Sequence, residues 1–522
     1  MQSLKEFTIY THKYLSKRRA YALLANAEAL GLEESIMTEN AGYVIAEYLK
    51  KGKKGYSILI LCGTGGKGAI GMALARHLDN YTNVKVAIIG STSEMHRKAA
   101  LLNYKLLSNM MDIITIDDSN IGQLKKYLAK SDTVIDALIG IGIKGRITGV
   151  LHDVIKMVND SKKDVISIDI PSGVDPDTGT MNVVHIKPTS IMALHKIKKG
   201  MIKNTSMQSI NTIDIGVPIS AEILSGPGDA LLAAERIPVD SNKYAHGSVL
   251  IIGGSKDYHG APILAARAAN TAIAALRSGT GYVTVAVPKQ IEMLARQQSP
   301  GIIVKGFTES LDLEDVANII HTTKHTAMVL GPGIADLKYS YKKLTAIIKY
   351  EKELGNRMVI DAGAMRALLR YQNLISNDMV LTPHYGEYKA LSGKDLSKET
   401  LHNKVMSALN FAKRYNCILV LKGHETIITN GDLLKINIAN TSALATMGTG
   451  DVLSGMIGSY VAVHSSSFES AVAAVYLHSK IGDALYPEKG NHIIAQDVID
   501  YIPTELTKYS KANGVHTWHS IT

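Results

Sequence analysis

Ser57-Ile58-Leu59-Ile60-Leu61-Cys62-Gly63-Thr64-Gly65-Gly66-Lys67-Gly68 decides how the first half of this chain folds. From Ile58 to Cys62 the run is wholly apolar and too short for a buried helix, so it reads as a strand covered on both faces, the kind found in parallel sheets. The glycines that follow turn the chain into a helix over residues 69–78. Strand, glycine turn and helix together make a nucleotide-binding arrangement, although the same layout closes many loops that bind nothing. Upstream, residues 16–30 form an opening helix, and Met37-Thr38-Glu39-Asn40-Ala41-Gly42 leads into a second. Downstream, strands are expected at 84–89, 113–116, 133–138, 164–170 and 212–215, alternating with helical stretches. This alternation predicts a doubly wound sheet.

Two of those strand ends carry acids that a fold alone does not require. They are Asp136 in Ile135-Asp136-Ala137-Leu138-Ile139-Gly140-Ile141-Gly142, and Asp169, with Ser172, in Ile168-Asp169-Ile170-Pro171-Ser172-Gly173. The carboxyl ends of strands line the ligand crevice of an open α/β sheet, so these groups can gather around one pocket. Capping of the following turns is the blander reading. Two acids recurring beside glycines favour the pocket.

Ser225-Gly226-Pro227-Gly228 and Pro238 bracket a helix without any strand pattern, which places a boundary here. The expected organisation is a domain over 1–220, a linker over 221–240 and a second domain over 241–510. In the second, strands are expected at 248–254, 282–287, 327–330, 358–361, 379–381 and 418–421. Gly260-Ala261-Pro262 opens a long alanine-rich helix to Leu276. The fold class is therefore α/β, with two three-layer α/β/α domains.

A second glycine turn lies late in the chain, at Ala445-Thr446-Met447-Gly448-Thr449-Gly450-Asp451, followed by apolar Val452, Leu453, Met456 and Ile457 at helical spacing. Unpaired amides and the positive helix end make it an anion site. A carboxylate beside a phosphate repels it unless it takes a proton, so Asp451 reads as a general base against a hydroxyl that meets a phosphoryl group. A plain helix cap is the alternative. Strand ends of the same half carry Gly331-Pro332-Gly333, Asp361, Thr382-Pro383-His384-Tyr385-Gly386-Glu387 and Lys422-Gly423-His424-Glu425-Thr426. Lys422 in a phosphate pocket would clamp the nucleotide.

Composition bounds the rest. At 46% hydrophobic and 20% charged the chain is neither disordered nor fibrous. The surplus of 57 basic over 47 acidic residues is scattered in pairs such as Lys53-Lys54 and Lys198-Lys199, which disfavours a nucleic-acid partner and suits anionic small molecules. No membrane span or secretory signal is expected, and Cys62 and Cys417 read as reduced core residues, so the expected location is cytoplasmic.

The motifs resemble a known family. Glu39-Asn40-Ala41-Gly42, Gly63 to Gly71, Asp136 to Gly149, Asp169 to Gly179 and Asp214-Ile215-Gly216-Val217-Pro218 resemble the YjeF N-terminal domain, the NAD(P)HX epimerase, over about residues 1–220. The resemblance implies a Rossmann-like domain that interconverts the R and S epimers of hydrated NAD(P)H, with potassium held by Asp136 and Ser172. It implies substrate contacts from Gly66, Lys67, Gly68, Ala69, Ile70, Asp169 and the loop Gly140, Ile141, Gly142, Ile143, Lys144, Gly145 and Arg146. The family's glycine loop carries Asn-Asn-Gly-Gly-Asp where this chain has Gly66-Lys67-Gly68-Ala69-Ile70. Two cations in one small site repel, so Lys67 is expected to exclude potassium or supply its charge, with weak, potassium-insensitive epimerisation.

Lys243 to Pro288, Thr382 to Glu387 and Ala445 to Gly455 are similar to the C-terminal YjeF domain, the NAD(P)HX dehydratase of the ribokinase-like superfamily. This implies dehydration of the S epimer of NADHX or NADPHX with ADP, or ATP, as phosphoryl donor and Mg2+ beside it, giving NAD(P)H, AMP and phosphate in the ADP case. Ala261, Gly333, His384 and Asp451 would face the hydrate. Lys422, Gly423, His424, Glu425, Thr426, Gly448, Thr449 and Gly450 would face the nucleotide. Gly363 stands where the family commonly has a second Asp, and His424-Glu425 replace a small pair. A homo-oligomer is expected. The runner-up is an ATP-dependent kinase of a small vitamin or sugar alcohol with an N-terminal ligand-binding module.

Overall fold

The computed structural model describes residues 4–51, 55–143, 145–203, 209–233, 243, 246–255, 270–308, 313–334, 341–377, 379–464 and 466–512. The chain divides into two compact units: His12–Pro218, and a second made of Met1–Thr11 together with Ile219–Thr522.

In the first unit seven strands form one sheet: β1 (Ser57–Cys62), β2 (Asn83–Ile89), β3 (Ile113–Ile116), β4 (Thr133–Ala137), β5 (Asp164–Ile168), β6 (Ser190–Leu194) and β7 (Ile210–Ile213). Their order is β3-β2-β1-β4-β5-β6-β7, and every pair is parallel. Strand order reverses between β1 and β4, so the crevice of a doubly wound sheet opens where Gly63 and Asp136 leave those strands. The helix Gly66–Leu78 starts hard against the end of β1. A Cβ on Gly68 would lie 1.8 Å from the Gly63 carbonyl oxygen, so only glycine permits this approach. β6 was not expected from the sequence.

The second sheet contains β8 (Ser248–Ile252), β9 (Tyr282–Pro288), β10 (Ile303–Phe307), β11 (Ala327–Leu330), β12 (Arg357–Ile360), β13 (Met379–Leu381), β14 (Ile418–Leu421), β15 (Glu425–Thr429) and β16 (Leu434–Ile438). Their order is β10-β9-β8-β11-β12-β13-β14-β15-β16, parallel as far as β14 and antiparallel beyond it. Alternate residues of β8 face opposite layers. Leu250 and Ile252 join the large apolar cluster, while Val249 lies 3.7 Å from the Cβ position of Gly458 on the helix Thr449–Val463. Layers on both faces make this a three-layer unit. Of the alanine-rich helix expected up to Leu276, the part at 270–277 is described and is helical.

Two boundary expectations are corrected. Residues 221–233 are not a linker. The helices Ile219–Ile223 and Pro227–Ala233 belong to the second unit, where Ser225 N donates to Ile436 O (3.0 Å) and Asp229 pairs with Lys435 (2.9 Å). Pro227 opens a helix here, as proline favours the first helical position. The first eleven residues also leave the first domain. The 3-10 helix Leu4–Tyr10 sends Phe7, 2% exposed, into the core of the second unit, where it stacks on His402 at 6.0 Å. No helix among the described residues is long and apolar enough to cross a membrane, and Cys62 and Cys417 are buried and unbridged.

Candidate active sites

At the switch point of the first sheet, Asp136 is fully buried at the end of β4. Its Oδ2 accepts from Lys67 Nζ (2.9 Å), Ser167 Oγ (2.8 Å) and Ser172 N (2.9 Å), and its Oδ1 from Ser172 Oγ (2.5 Å) and Leu138 N (3.2 Å). Lys67 rises from the first turn of its helix with a side chain only 4% exposed. Besides Asp136, its ammonium donates to Ile170 O (2.8 Å), Ser172 Oγ (3.1 Å) and Ile139 O (3.3 Å). Burial pulls its pKa below the ordinary lysine value, against the charge and hydrogen bond of Asp136. The oxygens that a potassium ion would need are present, but the ammonium already stands among them. A second cation in the same oxygen shell would be repelled at contact distance, so these residues do not fit a potassium ion.

Asp169, expected at a substrate position, lies just beyond β5 in the left-handed region, φ 64°. Its Oδ1 accepts from Leu194 N (3.1 Å) and from Lys198 Nζ in a close, buried ion pair. Lys198 also donates to Leu194 O and Lys196 O. The charges of Arg97, Glu34 and Asp169 act on the hydroxyl of Tyr21, after burial itself, which raises its pKa most. Arg97 and Glu34 are bonded at 2.6 Å. Lys198, Tyr21, Glu34 and Arg97 were not read from the sequence, which gave no signal beyond a lysine pair at Lys198 and an opening helix around Tyr21. Ile143, Gly145 and Arg146 of the expected loop line a cavity of ≈ 520 Å3 together with Gly173, Asp175 and Asn182. Lys144 lies outside the described residues.

In the second unit the end of β12 carries Asp361, 2% exposed. Its Oδ1 accepts from Lys422 Nζ (2.9 Å) and Thr382 Oγ1 (2.7 Å), and its Oδ2 from Ser454 Oγ (2.5 Å). Burial would raise its pKa, but Lys422 and these hydroxyls outweigh it and hold the carboxyl below the usual range. Burial likewise opposes the charge on Lys422, and the charges of Asp361, Glu387 and Asp451 overcome it and hold its pKa above the ordinary value. Gly448, φ 93°, caps the helix Thr449–Val463, and Asp451 sits in the first turn, 2% exposed. Lys422 Nζ is 3.7 Å from the Cβ position of Gly450, so cation, amide turn and acid meet at one place.

His384 caps the helix Tyr385–Ser392. Its Nδ1 accepts from Gly386 N (3.0 Å) and Glu387 N (3.2 Å), while Glu387 Oε2 accepts from His384 N (2.9 Å). This capping box leaves the ring 61% exposed. Gly333, φ 71°, follows β11. On the nucleotide side, Thr426 Oγ1 donates to Gly423 O (3.0 Å) and closes the β14–β15 turn, while the His424 side chain is 67% exposed and Glu425 pairs with Lys404 at 3.5 Å. Ala261 lies outside the described residues. Ser454 and His478 were missed by the sequence reading. Burial pushes His478 down to about 4, so a neutral imidazole stands behind the first turn at Thr449. Among the described residues no cluster of three or more His, Cys, Asp or Glu side chains is poised to hold a metal ion.

A family model described as NAD(P)H-hydrate dehydratase matches residues 249–504, and one described as YjeF-related protein N-terminus matches residues 34–200. The bifunctional NAD(P)H-hydrate repair enzyme Nnr of Pyrobaculum aerophilum is 30% identical over 503 residues, covering 94% of this chain and 97% of that one. Its counterpart from Methanothermobacter thermautotrophicus is 31% identical over 496 residues, covering 92% and 93%. Among solved structures, an ADP/ATP-dependent NAD(P)H-hydrate dehydratase from Bacillus subtilis is similar at 22% identity and a TM-score of 0.46, covering 55% of this chain and 98% of that one.

Proposed function

Because the chain belongs to the family of bifunctional NAD(P)H-hydrate repair enzymes, we propose that its second unit dehydrates the S epimer of NADHX or NADPHX with ADP, or ATP, as phosphoryl donor. The observation that carries this reading is the meeting of Lys422, the Gly448–Gly450 amides and Asp451 at one strand-end crevice. Hydroxide is a poor leaving group. Phosphorylating the substrate hydroxyl converts it into a phosphate ester; the phosphate leaves with the C–O bonding pair, and the neighbouring ring carbon gives up a proton to solvent water, its C–H bonding pair becoming the dihydronicotinamide double bond. Asp451 takes the hydroxyl proton as the oxygen attacks, and the helix-end amides stabilise the charge on the transferred group. Lys422, held by Asp361, keeps N–H groups for the nucleotide. Mg2+ carried on the nucleotide's own phosphates would supply charge neutralisation there, no cluster of His, Cys, Asp or Glu among the described residues being poised to hold it.

The first unit is epimerase-like, and in this proposal it binds hydrated pyridine nucleotide over Asp169, Lys198 and the loop 140–146, with slow epimerisation that ignores potassium. A cytoplasmic homo-oligomer is part of the same reading, and light scattering of the purified chain tests the assembly. A small-molecule kinase would share the turn and the acid, but family membership sets it aside.

The test is absorbance at the dihydronicotinamide band while the purified chain acts on a mixture of NADPHX epimers, with ADP or ATP. Recovery of NADPH until the S epimer is consumed is the expected course. A stable phosphorylated product without NADPH would overturn the reading.

A further inference from the structure

The Lys67 ammonium ties together three stretches that are separate in sequence: Asp136 at the end of β4, Ile139 at the start of the glycine loop, and Ile170 with Ser172 beyond β5. Its three N–H groups are shared among a carboxylate, two backbone carbonyls and a hydroxyl. Ser172 gives its hydroxyl proton towards Asp136 and accepts from Ile139 N (2.9 Å), so its oxygen faces Lys67 as an acceptor. A surface ion pair spends one or two hydrogen bonds on one carboxylate and leaves the rest to water. This shell is instead made wholly of oxygen and buried, with carbonyls on two of its sides, which is how a desolvated monovalent cation is held. An ammonium group and a potassium ion are close in size and charge, so one can stand in the other's shell.

We propose that Lys67 is a tethered monovalent cation. It is a positioning residue whose ammonium, delivered by the first turn of the helix Gly66–Leu78, holds the loop beginning at Ile139 against the turn at Ile170 and Ser172 at any potassium concentration. The chain thus exchanges a diffusible ion for a covalently attached one, and its first unit stays ordered where a potassium-dependent pocket would loosen. This inference deepens the epimerase-like reading of the first unit and rests on it for what the ordered loop would hold. The test below reads cation binding and not turnover, so either can fail alone.

The experiment compares the full chain with K67N and K67G, by thallium(I) NMR, thermal unfolding and amide exchange at Ile139 to Gly142, in potassium, ammonium, sodium and lithium chlorides at equal ionic strength. Wild type is expected to show no bound thallium signal and one melting temperature in all four salts. In the variants, potassium, ammonium and thallium should raise the melting temperature and slow exchange at Ile139 to Gly142, while sodium and lithium should not. This selective rescue is something a merely structural lysine would not produce. A potassium-displaceable thallium signal in wild type would overturn the proposal. So would variants that fold by circular dichroism yet respond to no cation. If neither variant folds in sodium, refolding followed by circular dichroism in the four salts decides: folding restored by potassium and ammonium but not by sodium or lithium supports the proposal, and failure in all four overturns it.

Discussion

Each unit pairs a lysine with a buried aspartate at the carboxyl end of a central strand, Lys67 with Asp136 and Lys422 with Asp361, both at 2.9 Å. The pairs differ in what remains of the cation. Lys67 is 4% exposed and spends its three N–H groups on four oxygens of its own unit. Lys422 is 22% exposed, and among the described residues its ammonium has Asp361 as its one acceptor. A closed pair of this kind fixes backbone, whereas an open one is loaded for an incoming anion. The turns beside them differ in the same sense. The first presents Lys67 and Ile70 where the second presents amides and Asp451.

That contrast can be broken by mutation. The largest effect is expected for Asp451→Asn, which should lower kcat for NADPH formation by about 10²–10⁴-fold while nucleotide affinity changes little. A loss confined to KM would mean that the acid only binds. Next, Lys67→Met leaves Asp136 charged and buried, and should destabilise the first unit by about 3–5 kcal/mol in urea titration, with much of it recovered in the double variant with Asp136→Asn. Lys422→Met should cost less, about 1–3 kcal/mol, because water can reach Asp361 through the opening that Lys422 lines. Equal losses would erase the distinction between closed and open pairs.

Acid should separate wild type from Asp361→Asn. The folded pKa of Asp361 is depressed, so its contribution is present above about pH 3.9, the unfolded value, and is lost as pH falls from there through the folded pKa. Stability measured by denaturant titration should fall more steeply with acid in wild type than in the variant. The smallest effect belongs to His384→Ala, about 1 kcal/mol for a lost helix cap. His384→Asp restores a capping oxygen. If stability returns while KM for the hydrate stays raised, the exposed ring also touches substrate.

Much of this was legible beforehand because runs such as Ile58 to Cys62 and Val249 to Ile252 are apolar on both faces, and only a buried parallel strand needs that. Of the strands that escaped notice, β6 carries that mark in Ile191 to Leu194 and was passed over, while those at the edges of the second sheet lack it. β10, Ile303-Val304-Lys305-Gly306-Phe307, contains a lysine and a glycine because it closes one edge of its sheet; β16, Leu434-Lys435-Ile436-Asn437-Ile438, alternates apolar with polar at the other edge, and β15 beside it has only Ile427 and Ile428 between polar residues. In the sites, Lys67 announced itself by standing in a glycine turn. Lys198 did not, because a lysine pair reads as a solvated face. Only the register of β6 against β5 brings the chain after Leu194 back over Asp169. Linker residues 221–233 misled for a related reason, since Pro227 and Gly228 punctuate a helix start as readily as a hinge.

The placement of Phe7 in the core of the second unit has a consequence for how the protein is made. The first unit is an insertion, carried between residue 11 and residue 219 of its neighbour. During vectorial synthesis Leu4–Tyr10 leaves the ribosome ahead of the first unit, while its partner His402 is translated only after the whole of that unit. The opening segment must therefore wait, with an aromatic side chain uncovered, for most of the chain. A gene cut at residue 218 would not deliver two self-sufficient halves, because the downstream piece would lack one wall of its own core.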